Sequence, residues 1–376
     1  MKIVCISAAK IPSELANGIQ AMKACQALAQ LGHQVTLLVP DNQQAAMGLQ
    51  QLAAYYGLRT PFEVAWLPAR SRRWFSWEAV RRARPRAPDL LYVWPLPAAV
   101  YGLLAGLPVL LEMHDLPSGA FGPLWFRLFL RLPGRKRLLV ITSALRAALA
   151  ARYRLRLPAE DVILAPNGVD LERYESLPAP PAARRQLGLP ALPTVACTGH
   201  LYAGRGADLF LALAQAFPQA NFLWVGGRQA DVIEWQARAG TLRLRNVTFT
   251  GFVPNERLPL YQAAADVLLM PYGKTIAISS GMGHSAQVAS PMKMFEYMAS
   301  GRAILTSDLP VIREVLDDSS AVFCPPEDAA AWQSALAALL ADDERRQALG
   351  RRARAAAEHY TWARRAGRAL QGFPRP

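Results

Sequence analysis

Three short stretches of this chain hold residues whose types and spacing could do chemistry. In Ser290-Pro291-Met292-Lys293-Met294-Phe295-Glu296-Tyr297-Met298-Ala299-Ser300-Gly301, a lysine and a glutamate stand three residues apart, which puts them on one face of a helix. The ends of the stretch predict that helix. Ser290 can cap the first amides, Pro291 suits the first helical position, and Gly301 permits the left-handed residue that closes the last turn. Met292, Phe295 and Ala299 follow the spacing of an inward face, and residues 302–307 then read as a strand. A lysine in the first turn opposes the positive end of the helix dipole, so an anion bound there would explain it. Glu296, one turn on, could accept hydrogen bonds from a ribose diol. The same two residues also read as a surface ion pair on an ordinary amphipathic helix.

The second stretch is Glu112-Met113-His114-Asp115, at the carboxyl end of an apolar run. Ligands of open α/β sheets bind at that end. A lone histidine is usually structural, but one that ends a buried strand beside two carboxylates is a candidate for proton or substrate handling. A third feature is Gly199-His200-Leu201-Tyr202-Ala203-Gly204-Arg205-Gly206. A strand that opens into a glycine-rich loop and then a helix, here 207–217, is built to grip phosphates, with Arg205 available for bidentate contact.

These residues must be carried by strands alternating with helices. Residues 2–8 form an apolar strand, 19–31 an amphipathic helix closed by Gly32, and 34–39 a second strand, the βαβ opening of a nucleotide-type sheet. Asn17-Gly18 begins that helix, where a glycine lets backbone amides approach a ligand. No G-x-G-x-x-G follows the first strand, so a dinucleotide site has no fingerprint here. Residues 90–111 contain 22 positions without a charge, enough in length for a membrane span. Pro95, Pro97 and Pro108 each cost about 3 kcal/mol inside a helix, however. The stretch reads instead as strand 90–93, helix 98–104 and strand 109–113 of a buried parallel sheet. Strands are expected at 140–143 and 162–164, with Pro166-Asn167-Gly168 a turn. Prolines 178, 180, 181, 190 and 193 suggest an interdomain connection. Further strands (194–198, 221–225, 247–250, 267–270) alternate with a helix at 257–264 and imply a second parallel sheet. Helices complete the chain, at 329–340 and in the arginine-rich tail to residue 369.

With 376 residues, 52% hydrophobic and 19% charged, the chain predicts two well-filled domains and excludes disorder. Cys5, Cys25, Cys197 and Cys324 lie far apart without metal-type spacing, which fits buried thiols in a reducing compartment. The start of the chain lacks a signal-peptide pattern. The net charge of +14 is concentrated. Residues 70–86 hold seven arginines with Trp74, Phe75 and Trp77, and 116–159 hold nine basic residues and no acidic one, including the run 121–132. Aromatics edged by arginines fit a helix in a membrane interface. A solvated face and a nucleic-acid groove are the other readings, and no nucleic-acid motif accompanies the charge.

The pattern S-P-x-K-x-x-E-Y-M-A-x-G followed by a strand resembles the signature of glycosyltransferase family 4, retaining enzymes of the GT-B fold. The resemblance extends to Glu-x-His at 112–114, to Pro166-Asn167-Gly168-Val169-Asp170 and to the loop at 199–206. It implies two Rossmann-like domains whose parallel sheets face a cleft. Residues 1–175 would bind acceptor, 176–193 would link, 194–355 would bind the nucleotide sugar, and 356–376 would return as a helix to the first domain. It implies donor contacts from Gly18, His200, Arg205, Gly206, Phe252, Ser290, Lys293 and Glu296, with the glutamate on the ribose. It also implies catalytic positions at His114 and Glu112, the histidine positioning sugar and acceptor. The family usually has arginine and lysine five residues apart where this chain has His200 and Arg205. A frequent first glutamate of an E-x7-E pair is here Val288. The implied reaction moves a sugar from a nucleoside diphosphate sugar, with no metal or other cofactor. Its acceptor would be lipid-linked or a glycan, at an anionic membrane surface, and nucleic acid is not a partner. The enzyme would be cytoplasmic, peripheral at the inner face of the membrane. A nucleotide-sugar epimerase of the same fold and a non-enzymatic basic surface binder are the alternatives.

Overall fold

The computed structural model describes residues 1–41, 47–68, 74–155, 157–274 and 287–373. Arg70, Arg72 and Arg73 of the basic run, and Ser279, Ser280, Gly281, Gly283 and His284 of the loop before the Lys293 helix, lie outside them. The described chain forms two compact units, Met1–Asn167 with Trp362–Pro376, and Gly168–Thr361.

In the first unit the strands are β1 (Lys2–Ile6), β2 (Gln34–Pro40), β3 (Glu63–Leu67), β4 (Leu90–Val93), β5 (Val109–Met113), β6 (Lys136–Val140) and β7 (Val162–Leu164). They form one parallel sheet in the order β3-β2-β1-β4-β5-β6-β7. Its central strands are apolar on both sides because helices cover both faces; every residue of β4 and β5 is buried. The order reverses direction between β1 and β4, which opens a crevice at their carboxyl ends.

The second unit repeats this plan with β8 (Thr194–Thr198), β9 (Asn221–Val225), β10 (Val247–Phe249), β11 (Val267–Met270), β12 (Ala303–Ser307) and β13 (Val322–Cys324). Their order is β10-β9-β8-β11-β12-β13, all parallel, with the reversal between β8 and β11. Phe210, Phe222, Trp224, Leu269 and Trp332 lie in one core cluster of this unit. All four cysteines are buried free thiols.

Several local expectations are corrected. The first helix spans Ala16–Gln30, so Gly18 lies within its first turn. β6 ends at Val140 rather than running on to 143, because the Thr142 hydroxyl accepts from the Leu145 amide at 3.1 Å and caps the helix Ser143–Tyr153. The proline-rich stretch, for which no helix was expected, contains one. Pro180–Leu187 is a helix, with proline at its start and Gly188 (φ 65°) closing it, and its buried Arg184 donates to Asp266 Oδ2 at 2.8 Å. Ser290 is not the N-cap residue of the Lys293 helix. That helix is Met292–Ser300, and Pro291, with ψ 122°, stands as its extended N-cap residue. Gly301 (φ 66°) ends it as expected.

Helix Trp362–Leu370 packs against Ala16–Gln30 within the first unit. Its end is fastened by Arg137, whose Nη1 donates to the Ala369 and Gln371 carbonyls at 3.1 and 2.6 Å. Helices Phe75–Ala83 and Gly122–Arg131 flank Leu96–Leu104 in the same unit. Phe126 and Phe129 point inward, whereas Trp74, Trp77, Leu104, Phe121 and Leu124 are exposed. Among the described residues no helix is long and apolar enough to cross a membrane.

Candidate functional site

In the second unit the crevice between β8 and β11 collects the predicted cations. After β8 the chain passes through Gly199, at φ 121°, whose carbonyl accepts from Trp224 Nε1 at 2.9 Å. The lysine runs beside this turn: a Cβ on Gly199 would stand at ordinary contact distance, 3.6 Å, from both Cε and Nζ of Lys293. Lys293 is 9% exposed. Its ammonium lies 3.8 Å from Cys197 Sγ and 5.1 Å from the centroid of the Tyr272 ring. Arg205 meets the same ring, its guanidinium carbon 5.3 Å from the centroid and its Nη1 donating to the Tyr272 hydroxyl at 3.1 Å. The structure thus gathers Arg205 and Lys293 about one aromatic ring. Neither forms an ion pair among the described residues, and Arg205 Nε is buried without a hydrogen-bond partner. Two cations packed at a sheet's switch point with no carboxylate are arranged to receive a multiply charged anion.

Gly206 holds this arrangement together. It has φ 82°, and a Cβ there would fall 2.0 Å from the Pro271 carbonyl oxygen, so only glycine lets the Arg205 loop close against the end of β11. Gly206→Ala is expected to lower stability by about 2 kcal/mol. Denaturant unfolding with an unchanged midpoint would contradict that close approach.

Glu296 is one turn beyond Lys293. Its Oε2 accepts from Gln262 Nε2 at 3.4 Å, and Gln262 Oε1 accepts from the buried Tyr174 hydroxyl at 2.9 Å. Burial first, and the Glu296 charge second, push the Tyr174 hydroxyl well above its ordinary range, so the tyrosine stays a donor and holds the amide in one orientation. The His200 ring stacks on Tyr202 at 4.9 Å, and Tyr202 in turn meets Arg228, which donates to its hydroxyl at 2.9 Å. Phe252, after Gly251 (φ 69°), is 38% exposed, so it is not part of the core. Ser290 and Val288 are both buried just ahead of the Lys293 helix.

In the first unit β5 ends in Glu112-Met113, and His114 follows. Glu112 has no exposed side-chain surface, while His114 is 32% exposed. Their contact, His114 Nε2 to Glu112 Oε1, is 2.6 Å. The carboxylate also accepts from Gln20 Nε2 at 2.6 Å, from Arg365 Nη2 at 2.5 Å and from the Tyr92 hydroxyl. Burial alone would raise the Glu112 carboxyl, but Arg365, His114 and Tyr92 together hold it down at about 2. Glu112 is therefore an anion at any ordinary pH, enclosed by donors. Gly18 lies on the same helix as Gln20, packed so that a Cβ would meet Ile11 and Ser13 at 3.4 Å.

Sequence reasoning missed Tyr272, Tyr92, Gln20 and Arg365. Tyr272 had a signal, a tyrosine two residues past a buried strand of the expected sheet. Arg365 had none, since it lies 253 residues from Glu112. Among the described residues no group of three or more histidine, cysteine, aspartate or glutamate side chains has metal-binding geometry.

Comparison with known proteins covers both units. Residues 18–173 match the profile described as Glycosyltransferase Family 4, and 192–342 that described as Glycosyl transferases group 1. The chain is 26% identical over 373 residues to a phosphatidyl-myo-inositol mannosyltransferase of Mycobacterium tuberculosis, covering 93% of this chain and 90% of that one. It is 29% identical over 249 residues to a D-inositol 3-phosphate glycosyltransferase of Xylanimonas cellulosilytica, covering 62% of this chain and 57% of the relative. The fold is similar to that of Anabaena HepE in complex with UDP-glucose, with TM-score 0.72, 18% identity and 99% of each chain covered.

Proposed function

Because this chain belongs to glycosyltransferase family 4, the retaining GT-B enzymes that take their sugar from a nucleotide donor, we propose the roles of its individual residues as follows. The observation that carries the reading is the pair of cations around Tyr272. Arg205 and Lys293 bind the diphosphate of a nucleoside diphosphate sugar. As the sugar departs, negative charge grows on the terminal phosphate, and fixed cations already aimed there stabilise it at no cost in reorganisation. Enzymes of the family need no metal for this. Glu296, held by the Gln262–Tyr174 chain, accepts from the ribose hydroxyls. Exposed Phe252 and the His200–Tyr202 stack offer flat apolar surfaces to base or sugar. His114 orients the reacting sugar and acceptor, and Glu112 acts through it rather than on the substrate.

The acceptor is lipid-linked, and the first unit works at an anionic membrane surface. Two features support this. One relative that spans nearly the whole chain is named for a phosphatidyl-inositol acceptor. The first unit also exposes Trp74, Trp77, Leu104, Phe121 and Leu124 on or at the start of three neighbouring helices, with exposed Arg84, Arg127 and Arg131 on the same or adjoining segments. Each such arginine is worth roughly 1 kcal/mol near anionic lipid, and the aromatic side chains suit the headgroup layer. Arg81 and Arg82 contribute less, since Glu78 already pairs with both.

A thermal-shift series with UDP, GDP and their hexoses tests the donor reading, because a ligand at 100 times its Kd adds about 2.7 kcal/mol. No shift with any of them removes it. Flotation with vesicles tests the membrane reading: binding to phosphatidylglycerol-containing vesicles is expected to exceed binding to phosphatidylcholine alone, and equal binding to both removes the anionic surface as a partner. Recovery of an altered nucleotide sugar without any transfer product would favour the epimerase alternative.

A further inference from the structure

The Glu112 carboxylate is the centre of a buried assembly built from four separate segments. Tyr92 comes from β4, Glu112 from β5, Gln20 from helix Ala16–Gln30 and Arg365 from helix Trp362–Leu370. Arg365 is 2% exposed and spends its whole fork here. Its Nη2 donates to Glu112 Oε1 at 2.5 Å, its Nη1 to the Tyr92 hydroxyl at 3.1 Å, and its Nε to the Pro166 carbonyl at 3.0 Å. The last of these contacts fixes the guanidinium plane against the backbone. Tyr92 is doubly engaged, accepting from Arg365 and donating to Glu112 Oε2. An ionised carboxylate can only accept, so its fourth partner must donate: His114 Nε2 carries a hydrogen and gives it to Oε1. That leaves Nδ1, in the neutral ring, as the nitrogen with a free lone pair. The partly exposed imidazole is the one member of the assembly that reaches outward.

From this we infer that Arg365 is a positioning residue for the transfer reaction. It locks Glu112 in one orientation, and Glu112 fixes both the plane and the tautomer of His114. The inference rests on the reading of His114 given above and deepens it, because it states which nitrogen faces the substrate. It also assigns a purpose to the return of the C-terminal helix to the first unit. The helix buries Trp362, Ala366 and Ala369 as an ordinary strap would. Among them it also inserts a guanidinium into the sheet's switch-point edge, where any loss of fork geometry is transmitted to the histidine through a single hydrogen-bonded carboxylate. Lysine would keep the charge but could not serve Glu112, Tyr92 and Pro166 together.

The test uses the full chain and follows release of nucleoside diphosphate from whichever UDP- or GDP-hexose gives the largest thermal shift. Arg365→Lys is expected to lower kcat 10- to 100-fold with the donor KM within about twofold. Tyr92→Phe, which keeps shape and removes one donor to Glu112, is expected to lower kcat about 10-fold and serves if Arg365→Lys does not fold. In a His114→Ala background either substitution should cause no further loss, since the route through the imidazole is already gone. Additive losses in that background would overturn the inference and leave Arg365 a purely structural residue. Nitrogen-15 spectra of histidine-labelled protein at pH 8 give the second readout. The resonance lost in His114→Ala should report an Nε2-protonated ring in the parent and a mixture of tautomers in Arg365→Lys; one unchanged tautomer in both would equally overturn it. Full activity of His114→Ala would instead refute the role of the histidine itself. The ring spectra would then still decide whether Arg365 sets the imidazole.

Discussion

Lys293→Met is expected to reduce kcat/KM 100- to 1000-fold while making the unliganded protein more stable. Both halves follow from the same burial. Lys293 is 9% exposed, and the neighbours of its ammonium are the Cys197 thiol at 3.8 Å and the face of Tyr272 at 5.1 Å. Neither neutralises it, and burying a charge without a partner is costly. Replacing such a group by an apolar side chain of similar volume is often stabilising, here by about 1–2 kcal/mol. The activity moves the other way, since removal of one fixed charge that meets developing negative charge costs roughly 10²–10³ in rate. Calorimetry of the parent and the variant, with and without nucleoside diphosphate, separates the two effects. The parent should gain stability with ligand and the variant should gain little. A variant that is less stable alone, yet responds to the nucleotide as the parent does, would mean that Lys293 is a structural group and no phosphate contact.

Much of this was legible in the sequence, for identifiable reasons. Strands β4, β5, β7, β8, β9 and β11 start and stop at the expected residues, because each is an apolar run bounded by glycine, proline or a charge. Parallel pairing followed from apolarity on both faces. Arg205 and Lys293, which the structure gathers about Tyr272, could be singled out because their loop and helix have local signatures. The failures are equally physical. Strand β3, Glu-Val-Ala-Trp-Leu, sits at the sheet edge and is only partly buried, so it lacks the continuous apolar run that marks the others. The helix at Pro180–Leu187 was hidden by its own prolines, which read as breakers although proline is at home in a first turn. Glu112 entered the expected site only with His114, through the Glu-x-His resemblance. Its actual surroundings depend on Arg365, and no spacing rule connects residues that tertiary folding alone brings together.

The enclosure of Glu112 also makes the first unit sensitive to acid, and Glu112→Gln should reveal by how much. The carboxyl is held at about 2, against an ordinary 4.5, by Arg365, His114 and Tyr92 acting over the opposing effect of burial. A folded-state value below the unfolded one means that the unfolded chain takes up a proton first as the pH falls. The stabilisation is therefore complete above about pH 4.5 and is lost progressively as the pH drops towards 2. Its size near neutral pH is roughly 3 kcal/mol. Glu112→Gln retains an acceptor for Arg365 but not the charge, and removal of one partner from a buried ion pair costs about 3–5 kcal/mol. The variant should thus melt well below the parent at pH 7. The gap should narrow as the pH is lowered from 5 to 3, since the parent is then losing what the variant never had. Melting curves for both proteins across that interval measure this. A gap of constant size from pH 7 to pH 3 would show that the Glu112 charge is not what Arg365, Tyr92 and His114 are gathered to hold, and the positioning role inferred for Arg365 would lose its physical basis with it.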